Sequence, residues 1–129
     1  MRKRIGIGGE GILHKQFATA IKKLQLYKQV YFIQWTYNAA GEKRSITTAS
    51  LLKTKGVQKG HPDYVFYGKD NNNYVKIVWI EFKYGKNKTT EEQKEFQNSF
   101  IGINNTFYYV AYSVEEAMNI LKQHNLIKL

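Results

Sequence analysis

Apolar and polar positions change period several times along the chain, and each change marks an element. From about Gly11 to Tyr27, Ile12, Phe17, Ala20, Ile21 and Leu24 recur at helical spacing, so the stretch reads as a helix with one face in the core. Val30 to Tyr37 is dense in aromatic and β-branched residues and reads as a first strand. Ile46 to Lys53 reads as a short helix ending ahead of Gly56. Tyr64-Val65-Phe66-Tyr67 and Val75-Lys76-Ile77-Val78-Trp79-Ile80 are strand-like runs joined by the turn-rich Gly68 to Asn73, which predicts two adjacent antiparallel strands. Thr89 or Thr90 caps a helix reaching about Ile101, with Thr89 and Glu92 at capping-box spacing. Thr106 to Tyr112 is a further strand, and Ser113 caps a last helix with Glu115 and Glu116 in its first turn. The order α-β-α-β-β-α-β-α, without repeats or a linker, predicts an α/β protein folded as a single domain over residues 1–129.

The chemistry of the chain is concentrated between Gly60 and Lys83. A Gly-His-Pro-Asp turn ends in Asp63, and seventeen residues later Glu81-Phe82-Lys83 lies inside an apolar run. Side chains at i and i+2 of a strand share a face, so Glu81 and Lys83 look the same way, about 7 Å apart, while Phe82 enters the core. Pairing of the two runs brings Asp63 close to Glu81. The residues around Glu81 are Val, Ile, Trp and Phe, the composition of a central, mostly buried strand, where charge is costly unless it is paired or functional. Hard divalent cations take oxygen ligands, commonly one or two carboxylates with water and phosphate oxygens. Asp63 and Glu81 supply such carboxylates, with the backbone carbonyl beside Glu81, that of Phe82, as a third ligand. Lys83 then orients a nucleophile or stabilises developing negative charge. The structural alternative is a common Pro-Asp turn beside an ordinary Glu-x-Lys pair on a strand face.

In these motifs the chain resembles the VRR-NUC domains of the PD-(D/E)xK nuclease superfamily, over His14 to Val114. Asn38-Ala39-Ala40-Gly41-Glu42-Lys43-Arg44-Ser45 is similar to the family's polar loop ending Lys-Arg-Ser, and the run from Leu51 to Asp63 to its Lys-x-x-Gly-x-x-x-Gly-x-Pro-Asp motif. Glu81-Phe82-Lys83 matches Glu-x-Lys, and Thr90-Glu91-Glu92-Gln93 the Thr/Ser-x-x-Gln of the next helix. The resemblance implies a restriction-endonuclease-like core, a central mixed β-sheet flanked by α-helices. It further implies cleavage of DNA with magnesium or manganese (Mg2+ or Mn2+), and a role for Gln93 in holding a water or a carboxylate at the site. Small stand-alone phage members of the family resemble dimeric nucleases of branched DNA, including Holliday junctions, so a homodimer acting on branched or duplex DNA is expected. The family's first helix carries a Glu three or four residues before a Gln; here Ile12 and Leu13 hold those positions before Gln16, and Glu10 is the nearby acid. Glu10 either reaches the metal from the helix's first turn or merely complements the helix dipole. His14 follows as a candidate neighbour of the site, though a histidine so placed is more often a packing or surface residue.

Composition narrows the partners. Twenty Lys and Arg against ten Asp and Glu give a formal charge of +10 and a pI near 9.7, the footprint of a polyanion binder. The polar, positive loop Asn38 to Ser45 suits phosphate contact, with Arg44 its foremost residue and Asn38, Lys43 and Ser45 beside it. Lys59 and Lys86 flank the carboxylates in sequence and join this set; the ten tyrosines, among them Tyr27, Tyr31, Tyr37, Tyr108 and Tyr109, are candidates for stacking on unpaired bases, though most fit half-buried strand positions. No run approaches the roughly 20 apolar residues of a spanning helix, and the opening Met-Arg-Lys-Arg lacks the apolar stretch of a signal peptide. Absence of cysteine excludes a disulfide framework and thiolate metal sites, and three scattered histidines disfavour zinc. An intracellular protein is expected, in the cytoplasm of a bacterial or phage-infected cell or at the nucleoid. The expected activity is a metal-dependent endonuclease selective for DNA structure. Its rivals are a DNA-binding module with a degenerate nuclease site and a nuclease of RNA or single strands.

Overall fold

A computed structural model of the protein describes residues 9–38, 55–56 and 58–128. The elements are α1 (Gly9–Leu26), β1 (Gln34–Tyr37), β2 (Tyr64–Lys69), β3 (Val75–Phe82), α2 (Glu91–Ser99), β4 (Thr106–Ala111) and α3 (Val114–Gln123). The strands form one sheet in the order β1-β2-β3-β4. β1 with β2 and β2 with β3 are antiparallel, the latter as the short hairpin between Lys69 and Val75 requires, while β3 and β4 are parallel across the α2 connection. The protein is thus α/β, and its described residues form a four-stranded mixed sheet flanked by three helices.

Several boundaries differ from the sequence reading for identifiable reasons. The first strand was expected from Val30, but Val30 makes a bridge to Ile127, and the Tyr31 and Phe32 amides both donate to the Leu126 carbonyl. Segment 30–32 therefore pairs with the chain after α3, and β1 begins only at Gln34. The capping box lies one residue later than expected: Gln93 N–H donates to Thr90 Oγ1 and Thr90 N–H donates to Gln93 Oε1, so Thr90 and Gln93, not Thr89 and Glu92, close the helix start. α2 stops at Ser99 with Phe100 as its cap, short of Ile101. The helix expected over Ile46 to Lys53 lies outside the described residues.

Side-chain alternation along the strands divides the molecule into two layers. Tyr64 and Phe66 of β2 and Val78, Ile80 and Phe82 of β3 face α1 and α3, where they meet Phe17, Ile21, Leu24, Ala117 and Leu121 in one buried cluster. Phe17 sits at its centre, edge-on to Tyr64 at 4.9 Å and to Phe82 at 5.1 Å. Burying each such aromatic ring contributes about 1.5–3 kcal/mol. The inward stripe of α1 runs Leu13, Phe17, Ile21, Leu24, which leaves Ile12, expected in the core, 39% exposed. The opposite sheet face carries Trp79, against which Phe96 and Phe100 of α2 pack at 5.2 and 4.5 Å. Among the described residues no helix is long and apolar enough to cross a membrane.

Candidate functional site

Antiparallel register does most of the assembly. The last pair of the β2–β3 ladder joins Tyr64 to Ile80, so Asp63, one step further out, stands opposite Glu81. The two carboxylates clamp each other's backbone: Asp63 N–H donates to Glu81 Oε1 at 3.1 Å, and Phe82 N–H donates to Asp63 Oδ2 at 2.8 Å. Both residues are buried, 5% and 3% exposed, and Lys83 beside them is 6% exposed. Lys83 Nζ lies 3.8 Å from Glu81 Oε2, on the face shared by positions i and i+2, and its amide donates to the Ala111 carbonyl of β4. Phe82 points the other way into the core, as the alternation demands.

The two flanking layers each send one helix start to this place. From α2, Gln93 Nε2 donates to Glu81 Oε2 at 2.8 Å while its Oε1 completes the capping box, so one amide both starts the helix and holds the carboxylate. From α1, His14 Nε2 lies 3.6 Å from Asp63 Oδ2 and 3.7 Å from Glu10 Oε1. Glu10 and His14 are one helical turn apart, which puts them on one face. Ligand atoms of Glu10, His14 and Asp63 all lie within 4.8 Å of one another, close enough for one cation. The imidazole is also wedged among rings, 5.4 Å from Tyr37 and Phe82 and 5.5 Å from Tyr64. It is therefore a packing residue whose outer edge faces the site.

Gly60 sets the approach of the Asp63 turn. Its φ of +86° is open to glycine at little cost, and a Cβ there would overlap the Glu92 backbone. The turn thus packs directly on the first residues of α2, with His61 resting on Phe96 at 4.8 Å.

Electrostatics follow from burial. Desolvation raises the Asp63 carboxyl above its ordinary value, opposed by the Phe82 amide and by His14. Glu81 is pushed up to about 8, first by burial and next by the Asp63 charge, with Lys83 pulling the other way. The metal-free pair accordingly keeps a proton near neutral pH, as two adjoining buried carboxyls do. The Tyr108 hydroxyl, raised by burial and then by the Glu81 and Asp63 charges, is buried without a hydrogen-bond partner among the described residues. A hard divalent cation fits this donor set: oxygen ligands, low dielectric, and two adjoining carboxyls whose ionisation burial and mutual repulsion hold back.

Asp63, Glu81, Lys83, Gln93, Glu10 and the Phe82 backbone are thus brought together, and Asn38 joins them through its N–H, which donates to the Asp63 carbonyl at 2.6 Å. Lys59 and Lys86 are exposed on the flanking turns. Lys43, Arg44 and Ser45 lie outside the described residues. His14 belongs with the first group although its sequence position suggested packing; its signal was the i, i+4 spacing from Glu10. No protein-family model, curated protein or solved structure matches the chain. Function is therefore read from the site itself.

Proposed function

We propose that the protein is a metal-dependent nuclease that hydrolyses DNA phosphodiester bonds, a small VRR-NUC-type member of the PD-(D/E)xK superfamily with a restriction-endonuclease-like fold. The observation that carries this reading is the mutual clamp of Asp63 and Glu81, two buried carboxylates with Lys83 on the same face and Gln93 on Glu81. Lys83 pairs with Glu81, but one lysine does not balance two buried carboxyls, and the second acid is the reason a further cation suits this place.

Asp63 and Glu81, with the Phe82 carbonyl, would hold Mg2+ or Mn2+, and Glu10 and His14 stand within reach of the same ion. Such an ion, when bound, supplies positive charge to a phosphate and lowers the pKa of water. Lys83 brings a buried cation to the same face, where it offsets the charge that grows on a phosphate oxygen as the bond to the leaving oxygen lengthens. Gln93 keeps Glu81 Oε2 fixed and so keeps the ligand oriented. His14 orients Asp63 from the other side. The formal charge of +10 favours the polyanion, and phosphate contacts of this kind carry no base sequence, so selection among DNA structures rather than sequences is the expected behaviour.

The test is incubation of purified protein with labelled four-way junction, flap, duplex and single-stranded DNA in magnesium, manganese or chelator. Asp63→Asn and Lys83→Ala variants run beside it, with circular dichroism to establish that they fold. Metal-dependent cutting lost in both variants is expected. Binding without any cutting by the unaltered protein would make it a DNA-recognition module instead.

A further inference from the structure

Among the described residues, the α2 side of the sheet is covered unevenly. α2 lies over β3 and β4, where Phe96 meets Trp79 and Tyr108. Over β1 and β2 the same face carries Thr36, Val65 and Tyr67, and among the described residues no helix lies on it. A groove of about 350 Å³ opens there, within the range of small-ligand sites, about 300–1,000 Å³. It adjoins the carboxylates directly. His61 and Pro62, which close one end, immediately precede Asp63, and Trp79 in its wall is two residues from Glu81 on the same face.

The lining has a distinct chemistry. Val65 and Ile77 contribute apolar surface to the lining, and the Tyr67 ring, 36% exposed, and the exposed His61 imidazole contribute aromatic surface. Lys69, two residues beyond Tyr67 on the same strand face, and Lys59, just ahead of Gly60, are both exposed. Aromatic rings beside apolar residues, with exposed lysines two positions along the chain from His61 and from Tyr67, suit a planar base on an anionic backbone. A base stacked inside a duplex cannot enter, because both of its faces are already covered.

We propose that this groove receives an unpaired DNA base beside the bond that is cut, so that the protein acts where a strand leaves its duplex. The proposal rests on the nuclease reading and names the substrate feature that reading leaves open.

Lys83→Ala protein in magnesium is titrated with an oligonucleotide carrying 2-aminopurine at an unpaired position, and with the fully paired duplex of equal length at the same salt. The unpaired probe is expected to bind at least about tenfold more tightly, with its fluorescence quenched by stacking. Adding Tyr67→Ala is expected to lower that affinity about tenfold, the size of one base–aromatic stack, and Tyr67→Phe to keep it. Equal affinity for the two probes, or no effect of Tyr67→Ala, overturns the base pocket; if the unaltered protein still cuts DNA in magnesium, the nuclease reading then stands without it. If the unaltered protein cuts none of the junction, flap, duplex or single-stranded substrates, both readings fall.

Discussion

Gln93 donates from Nε2 to Glu81 Oε2 at 2.8 Å while its own Oε1 accepts the Thr90 amide, so the start of α2 and the position of a buried carboxylate depend on one side chain. Removing the Thr90 hydroxyl alone, in Thr90→Ala, takes away an N-cap acceptor and should cost about 1 kcal/mol. Gln93→Ala removes the reciprocal bond and also leaves Glu81 short of a buried donor, and should cost about 2–3 kcal/mol. Urea unfolding of the metal-free protein measures both. Equal costs would mean that the bond to Glu81 contributes nothing to folding.

The raised carboxyls tie stability to pH with a definite sign. Glu81 goes from an ordinary 4.5 to about 8 on folding, so the folded state binds the proton more tightly than the unfolded chain. The stability this contributes is complete below pH 4.5 and is lost as the pH rises to about 8. Asp63 is shifted in the same direction and adds to it. The melting temperature of metal-free protein should therefore fall across that window, and Glu81→Gln, which keeps a neutral side chain, should flatten the fall. A parallel decline in both proteins would place the titration elsewhere.

Gly60→Ala should be among the more damaging single changes outside the core. Its φ of +86° strains any other residue, and the added methyl meets the Glu92 backbone rather than a movable side chain. A cost of at least about 1–2 kcal/mol is expected. The loss should come with weaker metal binding, since the turn that holds Asp63 is displaced from α2. Calorimetric titration beside thermal unfolding would show whether the two effects travel together.

On the metal-dependent reading proposed above, His14 should separate two metals. Imidazole nitrogen suits manganese better than magnesium, which favours carboxylate and water. If His14 holds the cation together with Glu10 and Asp63, His14→Ala should weaken manganese binding by about tenfold or more and magnesium binding far less. Equal losses for both metals would assign His14 a positioning role through Asp63, which its ring contacts with Tyr37, Tyr64 and Phe82 already support.

Local periodicity made part of this protein legible without coordinates. Alternation along β3 is enough to put Glu81 and Lys83 on one face and Phe82 on the other, because pleating admits no other arrangement. The hairpin between two apolar runs is enough to bring Asp63 opposite Glu81, and Ser113 is the N-cap of α3 as expected. These are consequences of neighbours in the chain or of one short connection.

What lay beyond the residue pattern depended on contacts between distant segments. Whether segment 30–32 joins the sheet or the chain end was settled by Ile127 and Leu126, nearly a hundred positions away, competing for the same backbone groups. Thr89 with Glu92 and Thr90 with Gln93 have the same spacing, and Gln93 stands at the helix start in a structure where its other amide atom is on Glu81. His14 read in sequence as a candidate neighbour of the site but more readily as a packing or surface histidine; the docking of α1 against β2 and β3 set its Nδ1 at 3.2 Å from the Tyr64 hydroxyl and turned its Nε2 edge to Asp63. In each case the local residue pattern was compatible with two arrangements, and burial, hydrogen bonds and charge across the fold chose between them.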